Sequence, residues 1–267
     1  MTELLHSAAD LAALIPDGAL LALAPDYSGC AMAVVRELVR RRARGLRLLG
    51  VPQLGLQADI LIGAGCVASV EAAAVGLGEH GAAPCFQRAA RAGTIVIRDS
   101  TCPAIHAALT AAERGIPFMP LAGVLGSDLV AARPDWRVIE EPMGGGRILA
   151  VPALRPDIAL FHAELADRDG HAWIGVRREM MTMAHAAHAT LVSFEELVGG
   201  SLLEGPHAAG TIPSIYIEAL ARIPGGARPI GCGDRYPADQ AFIAAHAEAA
   251  ATTEGFALFL DRWLAAP

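Results

Sequence analysis

Short apolar runs alternate along the chain with segments whose apolar residues recur at helical spacing. In residues 32–44 the apolar positions 34, 35, 38 and 39 are separated by Arg and Glu, which is the period of an amphipathic helix. Helices are also predicted over 103–114, 179–189 and 238–266, the last as one or two elements. The runs predicted as strands are 19–24, 46–51, 59–63, 94–97, 118–121, 148–151, 158–162 and 190–194.

Strands that are apolar on both faces and separated by helices are typical of a parallel sheet covered on both sides. The pattern therefore predicts an α/β fold: an open, mostly parallel sheet with helices on both faces. We expect one domain over residues 1–267, with a surface excursion at 131–147. Such sheets bind ligands beyond the carboxyl ends of their strands. The predicted strand ends are 25–30, 63–66, 98–102, 123–128 and 162–170.

Composition removes several classes of function. The 267 residues are 54% hydrophobic and 18% charged, with a net charge of −7, which disfavours nucleic acid and anionic membranes as partners. The chain contains no Lys and no Asn. Schiff-base catalysis and a phosphate-binding loop ending in Gly-Lys-Ser/Thr are therefore excluded. No apolar run reaches the ~18 residues that suggest a membrane span.

The cysteines and the N-terminal residues bear on the compartment. Five Cys lie far apart without any Cys-x-x-Cys pair, as expected of reduced thiols in a cytoplasm. The first residues lack the basic and apolar regions of a signal peptide. We therefore expect a cytoplasmic protein. The cysteines are Cys30, Cys66, Cys85, Cys102 and Cys232.

Two cofactor patterns are present but incomplete. Residues 76–81 have Gly-x-Gly-x-x-Gly spacing, yet 71–75 is not predicted as a strand and the next helix is expected only at Pro84. Glu79 would also place a negative charge against a pyrophosphate. We therefore interpret this segment as an ordinary loop. His185 and His188 lie three apart on a predicted helix without further ligands, so no metal site is predicted.

No nucleophile with an adjacent base is evident from the residues alone. The polar groups at predicted strand ends are Asp99-Ser100-Thr101 and Gly126-Ser127-Asp128. Asp and Ser are also the residues that turns and helix N-caps prefer, so a structural role remains an equal alternative.

The chain nevertheless resembles a known family over most of its length, from about residue 15 to 236. The resemblance is to the alpha subunit of glutaconate-type (family I) CoA-transferases. The segments that carry it, in matching order, are 16–18 (Pro-Asp-Gly), 34–38 (Val-Val-Arg-Glu-Leu), 59–65 (Asp-Ile-Leu-Ile-Gly-Ala-Gly), 115–120 (Gly-Ile-Pro-Phe-Met-Pro), 125–129 (Leu-Gly-Ser-Asp-Leu), 151–154 (Val-Pro-Ala-Leu), 156–163 (Pro-Asp-Ile-Ala-Leu-Phe-His-Ala), 166–170 (Ala-Asp-Arg-Asp-Gly), 194–197 (Phe-Glu-Glu-Leu) and 226–229 (Gly-Ala-Arg-Pro).

The resemblance implies a heterodimer or heterotetramer with a beta-type subunit, which would act on an acyl-CoA and a carboxylic acid. In similar enzymes a beta-subunit glutamate attacks the thioester, forms an acyl-glutamyl anhydride and then carries CoA as a glutamyl thioester. That glutamate sits in a Ser-Glu-Asn-Gly-like motif, which a chain without Asn cannot contain. We therefore expect no activity without the partner, no permanently bound cofactor, and coenzyme A as part of the substrate.

Two departures from the family concern the site. Related alpha subunits carry Gly-Gly-Phe where this chain has Leu23-Ala24-Pro25, and Pro25 has no N–H to donate. Arg228 stands where the family usually has His. Some relatives are hydrolases of CoA thioesters of steroid-ring fragments, in which an alpha-subunit carboxylate takes part, and Asp99 stands near the corresponding acidic position.

These comparisons with the family lead to one assignment of residues and three alternative functions. We predict Asp99 as catalytic. The predicted substrate-binding residues are Asp26, Ser28, Gly29, Ser100, Gly126 and Ser127. The favoured function is that of a CoA-transferase subunit. The alternatives are a subunit of an acyl-CoA (ring-opening) hydrolase and a scaffolding subunit without catalytic activity.

Overall fold

The secondary structure follows the predicted alternation, with the ends of elements shifted by a few residues. A computed structural model describes residues 2–265, so the predicted helical residue Ala266 lies outside the described part. The strands are β1 (Glu3–Leu5), β2 (Leu20–Leu23), β3 (Leu46–Gly50), β4 (Gln53–Leu54), β5 (Val67–Ala72), β6 (Ala74–Val75), β7 (Val96–Asp99), β8 (Phe118–Leu121), β9 (Arg137–Glu140), β10 (Arg147–Pro152), β11 (Ile158–Asp167), β12 (Ala172–Trp173), β13 (Ala189–Val198), β14 (Thr211–Ile212) and β15 (Ala219–Arg222). The α-helices are α1 (Ala8–Ala13), α2 (Met32–Arg40), α3 (Leu56–Gly63), α4 (Pro84–Ala92), α5 (Cys102–Glu113), α6 (Leu129–Ala132), α7 (Arg178–Ala186), α8 (Gln240–Ala249) and α9 (Thr253–Ala265).

The central sheet has the strand order β1-β15-β13-β11-β2-β3-β5-β7, and every neighbouring pair along this path is parallel. The short strand β12 adds antiparallel pairing to β11 and β14. The predicted α/β class with a mostly parallel sheet is therefore confirmed. No helix within residues 2–265 combines the length and hydropathy that a membrane crossing needs.

Alternation along the strands explains why helices cover both faces. In β2, Leu21 and Leu23 belong to a core shared with α1, α2, α3, α4, α8 and α9. Ala22 and Ala24 point the other way, into a core shared with α5 and α7. Successive side chains of a strand face opposite sides, so apolar residues at consecutive positions require cover on each side.

A second, three-stranded antiparallel sheet has the order β8-β10-β9 and packs on α5. Leu149 and Val151 of β10 form a small core with Ala104, Ala108 and Trp136. The residues 131–147 supply the end of α6, the whole of β9 and the turn into β10. The predicted strands 118–121 and 148–151 exist, but they lie in this small sheet rather than in the parallel one.

Two predictions of local structure are wrong. Residues 59–63 are not a strand but belong to α3, in which Leu56 to Ile62 are all buried. A helix enclosed on every side has no polar face, so the helical period is absent and the run looks like a buried strand. Conversely, residues 71–75 were not predicted as a strand, yet they form the end of β5 and all of β6. Strand β1 was also missed.

Candidate active site

The loop 25–30 leaves the carboxyl end of β2 and leads into α2, at the edge of the sheet where β3, β5 and β7 also end. Gly29 is held against β11, since the backbone N–H of His162 donates to the Gly29 carbonyl at 2.8 Å. A β-carbon at Gly29 would lie 2.2 Å from the His162 carbonyl oxygen, so any other residue would clash there. The predicted site residue Gly29 thus has a clear packing role.

The polar side chains of the loop face protein groups. Asp26 accepts a hydrogen bond from the Leu56 N–H at 2.9 Å, at the start of α3. The Cys30 thiol lies 3.7 Å from the same carboxylate. Burial raises the pKa of Asp26 to about 6, against the lowering effect of these hydrogen bonds. The predicted substrate contact Asp26 is therefore engaged at a helix N-terminus.

Ser28 connects the loop to α7. Its hydroxyl donates to the Glu179 carboxylate in the first turn of that helix. The side chain that the loop exposes is Tyr27, which is 54% accessible. The guanidinium of Arg177 lies over the Tyr27 ring, 5.4 Å from its centroid.

Sequence reasoning missed Tyr27, Arg177 and Glu179 as residues of this edge. Glu179 lies 151 positions from Ser28 along the chain, so nothing local connects the two. Tyr27 carried a signal, because it is an aromatic residue inside a loop already selected as a substrate loop.

Asp99 is the last residue of β7 and is exposed at the same edge. Its backbone carbonyl accepts a hydrogen bond from Arg133 Nη1 at 3.0 Å. Its carboxylate makes no hydrogen bond or ion pair within residues 2–265. The carboxylate of the predicted catalytic residue is therefore exposed, and no group of residues 2–265 occupies its oxygens.

Ser100, by contrast, is buried and lines a cavity of about 150 Å³ below the edge. Two arginines and two carboxylates surround this cavity and neutralise each other. Arg133 lies 2.8 Å from Glu71 and 2.9 Å from Asp135, and Arg98 reaches the same two carboxylates at 3.2 Å. The Arg133 hydrogen bonds hold the pKa of Asp135 below its ordinary value, although burial opposes them. Ser100 thus lies buried beside a compensated ionic cluster and is not exposed at the edge.

Gly126 and Ser127 lie elsewhere, in the exposed turn between β8 and α6. The Ser127 hydroxyl donates to the Val124 carbonyl of its own turn at 2.9 Å. No hydrogen bond, ion pair or ring contact among residues 2–265 joins this turn to the loop 25–30. The structure does not bring these two predicted residues together with Asp26, Ser28 and Gly29.

A Ser-His-Glu hydrogen-bonded chain lies beneath the loop. His162 Nδ1 is 2.8 Å from Ser193 Oγ, and His162 Nε2 is 2.7 Å from Glu195 Oε1. Tyr236 and the backbone N–H of Gly225 donate to the same carboxylate. Burial acts to raise the pKa of this carboxyl, but the hydrogen bonds outweigh it, and the pKa is lowered to about 2. Because Ser193 is completely buried, the arrangement cannot act as a catalytic triad on a substrate.

Three groups in the described residues bring ligand-type side chains within 4.8 Å of one another: Asp59, Cys85 and His246; His162, Glu195 and Cys232; Asp167, Asp169 and His171. In the first, Asp59 accepts from the Phe86 N–H at 2.8 Å and lies 2.8 Å from His246 Nε2. The carboxylate oxygens of Asp59 and of Glu195 are therefore already occupied by hydrogen bonds to other groups of the chain. The pair His185 and His188 belongs to none of the three groups.

Comparison with known proteins identifies the family. The family model described as Coenzyme A transferase matches residues 5–222. The chain is 29% identical to the A-type subunit of the 3-oxoadipate CoA-transferase of Pseudomonas knackmussii, over 99% of this chain and 94% of that protein. It is 30% identical to the Cholesterol ring-cleaving hydrolase IpdA subunit of Rhodococcus jostii, over 87% of this chain and 82% of the relative.

A solved structure and a longer relative complete the comparison. The structure of the decarboxylase AibA/AibB superimposes with a TM-score of 0.89 and 31% identity, over 100% of both chains. An uncharacterized protein of Archaeoglobus fulgidus is 28% identical over 87% of this chain, which spans only 52% of that relative. The resemblance inferred from the ordered segments is confirmed. Because the family model covers residues 5–222 of the 267, this chain belongs to the coenzyme A transferase family.

Proposed function

We propose that this chain is the alpha subunit of a heteromeric enzyme that transfers coenzyme A between carboxylic acids. The nucleophilic glutamate would come from a separate beta-type subunit, and this chain alone would be inactive. The thioester would be attacked at the sheet edge formed by the loop 25–30 and Asp99. Coenzyme A would enter as part of the substrate, without a permanently bound cofactor.

The observation that carries this proposal is the family match over residues 5–222. Two further observations support the division between chains. The Ser-His-Glu chain of the described residues is sealed in the core, where no thioester can reach Ser193. Relatives are also named as subunits, among them that of the 3-oxoadipate CoA-transferase. The exposed sheet edge, where the Asp99 carboxylate makes no hydrogen bond within residues 2–265, is suited to form one side of an active site shared with another subunit.

The test is reconstitution with a beta-type protein of the family from the same genome. The pair is given butyryl-CoA or glutaryl-CoA with acetate as acceptor, and acetyl-CoA formation is followed by mass spectrometry. We expect transfer by the pair and none by either chain alone. Turnover by the purified chain alone would contradict the proposal, and so would a pair that releases no CoA from any thioester.

An acyl-CoA hydrolase on the same scaffold is the second candidate, and the Asp99 carboxylate favours it. That carboxylate is exposed and uncommitted, as a group that activates water needs to be. The IpdA hydrolase subunit, 30% identical, supports this alternative. Pro25 also leaves the loop without one backbone donor of the family turn. Free acid and free CoA produced without acceptor would identify hydrolysis.

Asp99→Asn separates the two reactions within the reconstituted pair. If water is activated at Asp99, hydrolysis falls by roughly 10²–10⁴-fold, because an amide cannot accept the proton. Transfer through the partner's glutamate is expected to continue. Asp128→Asn, an exposed change of the same chemistry, is the matched control. Unchanged hydrolysis in the Asp99 variant would remove the residue from the mechanism.

A scaffolding subunit without catalytic activity is the remaining alternative. It predicts that simultaneous replacement of Asp26, Ser28 and Asp99 leaves turnover by the pair intact.

The cytoplasmic location stays a prediction. All five cysteines are free thiols in the structure.

A further inference from the structure

The side chains of the loop 25–30 divide into two sets. Asp26, Ser28 and Cys30 are engaged by groups of the chain itself, and Gly29 is packed against His162. Tyr27 alone extends from the loop, more than half accessible. The loop therefore presents one aromatic ring with a hydroxyl to any ligand at this edge.

Arg177 adds a positive charge to that ring. Its guanidinium makes no hydrogen bond or ion pair within residues 2–265 and lies over the face of the Tyr27 ring. The acidic group nearest in sequence, Glu179, is engaged by the Ser28 hydroxyl. Stacking on an aromatic face orients a guanidinium while leaving its N–H groups free.

The surroundings connect this pair to the candidate site. Tyr27 lies between Asp26 and Ser28 in the loop at the carboxyl end of β2, and Arg177 immediately precedes α7. Burial raises the pKa of Tyr27, the nearby Glu179 carboxylate and Cys102 thiol act in the same direction, and Arg177 opposes them. Cys102 begins α5, three residues after Asp99. The loop, α5 and α7 thus converge at the edge that Asp99 occupies.

We propose that Arg177 and Tyr27 bind an anionic oxygen group of the substrate. The guanidinium fork matches the oxygens of a carboxylate or a phosphate, and the Tyr27 hydroxyl adds one donor. Two parts of a thioester substrate supply such a group: a second carboxylate on the acid, or a phosphate of coenzyme A. The inference rests on the proposed function for the identity of the ligand, and on geometry for the site.

The experiment is a titration of the full chain, followed by NMR or calorimetry. The probes are glutarate against butyrate, and coenzyme A against 3′-dephospho-coenzyme A and pantetheine. The variants are Arg177→Met, which keeps the stem of the side chain, and Tyr27→Phe, which keeps the ring. Arg178→Met is the matched control, because this exposed neighbour loses the same charge.

We expect Arg177→Met to weaken the favoured anion by about tenfold or more, the usual loss for a hydrogen bond to a charged group. Tyr27→Phe should weaken it less, and Arg178→Met should leave it unchanged. A loss confined to glutarate identifies the acid as the source of the anion. A loss confined to coenzyme A and its 3′-dephospho form, with pantetheine unaffected, identifies a phosphate.

The inference is overturned if wild-type protein binds none of the anions, or if Arg177→Met binds them as tightly as the control variant. Its failure is distinguishable from that of the proposed function. If the reconstituted pair turns over thioesters and the Arg177→Met variant has the same KM as wild type, only the anion-binding site is contradicted. If the pair shows no turnover but this chain still binds an anion through Arg177, only the proposed function is contradicted.

Discussion

Asp26 is half-buried and forms no ion pair among the described residues, although His246 acts weakly to lower its pKa. Its carboxylate receives the Leu56 N–H and lies near the Cys30 thiol, and the Asp59 carboxylate acts against its ionisation. Burial dominates and raises its pKa to about 6. The Asp26 side chain, predicted to contact substrate, is therefore bound by the fold itself, at the N-terminus of α3.

Asp26 is expected to make stability fall as the pH rises. Below pH 4 both the folded and the unfolded carboxyl hold the proton; as the pH passes about 6, the folded state must bury a charge. The difference between a pKa of 3.8 and one of about 6 corresponds to about 3 kcal/mol at most. Asp26→Asn, which keeps the acceptor oxygen, should remove this dependence.

The measurement is urea unfolding of wild type and Asp26→Asn between pH 4 and 8. We expect the variant to gain stability relative to wild type as the pH increases. The exposed change Asp261→Asn is the control for general charge effects. A difference between Asp26→Asn and wild type that is constant with pH would contradict the assignment.

Among the elements, Arg133 makes the larger part of the ionic connection between the parallel sheet and the segment that leads into the small antiparallel sheet, and Arg98 adds one contact to Asp135. Arg133 follows α6, yet its guanidinium reaches Glu71 at the end of β5 and the Asp99 carbonyl at the end of β7. It also forms two hydrogen bonds to Asp135 and lies over the Trp136 ring, 4.6 Å from its centroid. One side chain thus positions the strand end that carries the candidate carboxylate.

Arg133→Met is expected to lower the free energy of unfolding by roughly 3–5 kcal/mol, the usual cost of leaving a buried charge without its partner. Arg98 still contacts Glu71, which places the effect toward the lower value. Denaturant unfolding measures the loss, and hydrogen exchange of the Asp99 region should increase. Arg147→Met, an exposed change on β10, is the control. Equal stability of the two variants would show that the cluster does not join the sheets.

At the scale of the whole molecule, the parallel sheet separates two apolar cores. The accessibility of the cysteine thiols measures how tightly those cores are packed. Cys30, Cys66 and Cys85 lie in the core shared with α2, α3 and α4, and Cys232 is buried near Glu195. Burial raises the pKa of Cys66 to about 11 and that of Cys85 to about 12. Cys102 is the exposed thiol.

Iodoacetamide should therefore modify Cys102 first in the native chain, since a thiolate must be both formed and accessible to react. Mass spectrometry is expected to find one adduct under native conditions and five in urea. The Cys102→Ser variant should remain unmodified until it unfolds. Rapid native labelling of Cys66 or Cys85 would contradict the packing of this core.

Local patterns predicted much of the architecture correctly. Amphipathic spacing indicated α2, α5 and α7, and apolar runs indicated β2, β3, β11 and β13. The same reasoning failed for α3, whose surroundings are apolar on all sides, and for β5, where Glu71 interrupts the apolar pattern. A buried carboxylate needs a cationic partner, and the partners of Glu71 are Arg98 and Arg133, which lie 27 and 62 positions further along the chain.

The amino-acid order by itself determined the α/β class and the family, and it predicted the edge of the sheet for the site, because periodicity and motif order are properties of neighbouring residues. Only the tertiary structure decided which side chains of that edge are available. Ser28 is engaged by Glu179 and Ser100 is buried, whereas Tyr27 and Asp99 are exposed and Arg177 lies half-buried over the Tyr27 ring. Contacts between residues more than a hundred positions apart form when the chain packs, and no local pattern records them.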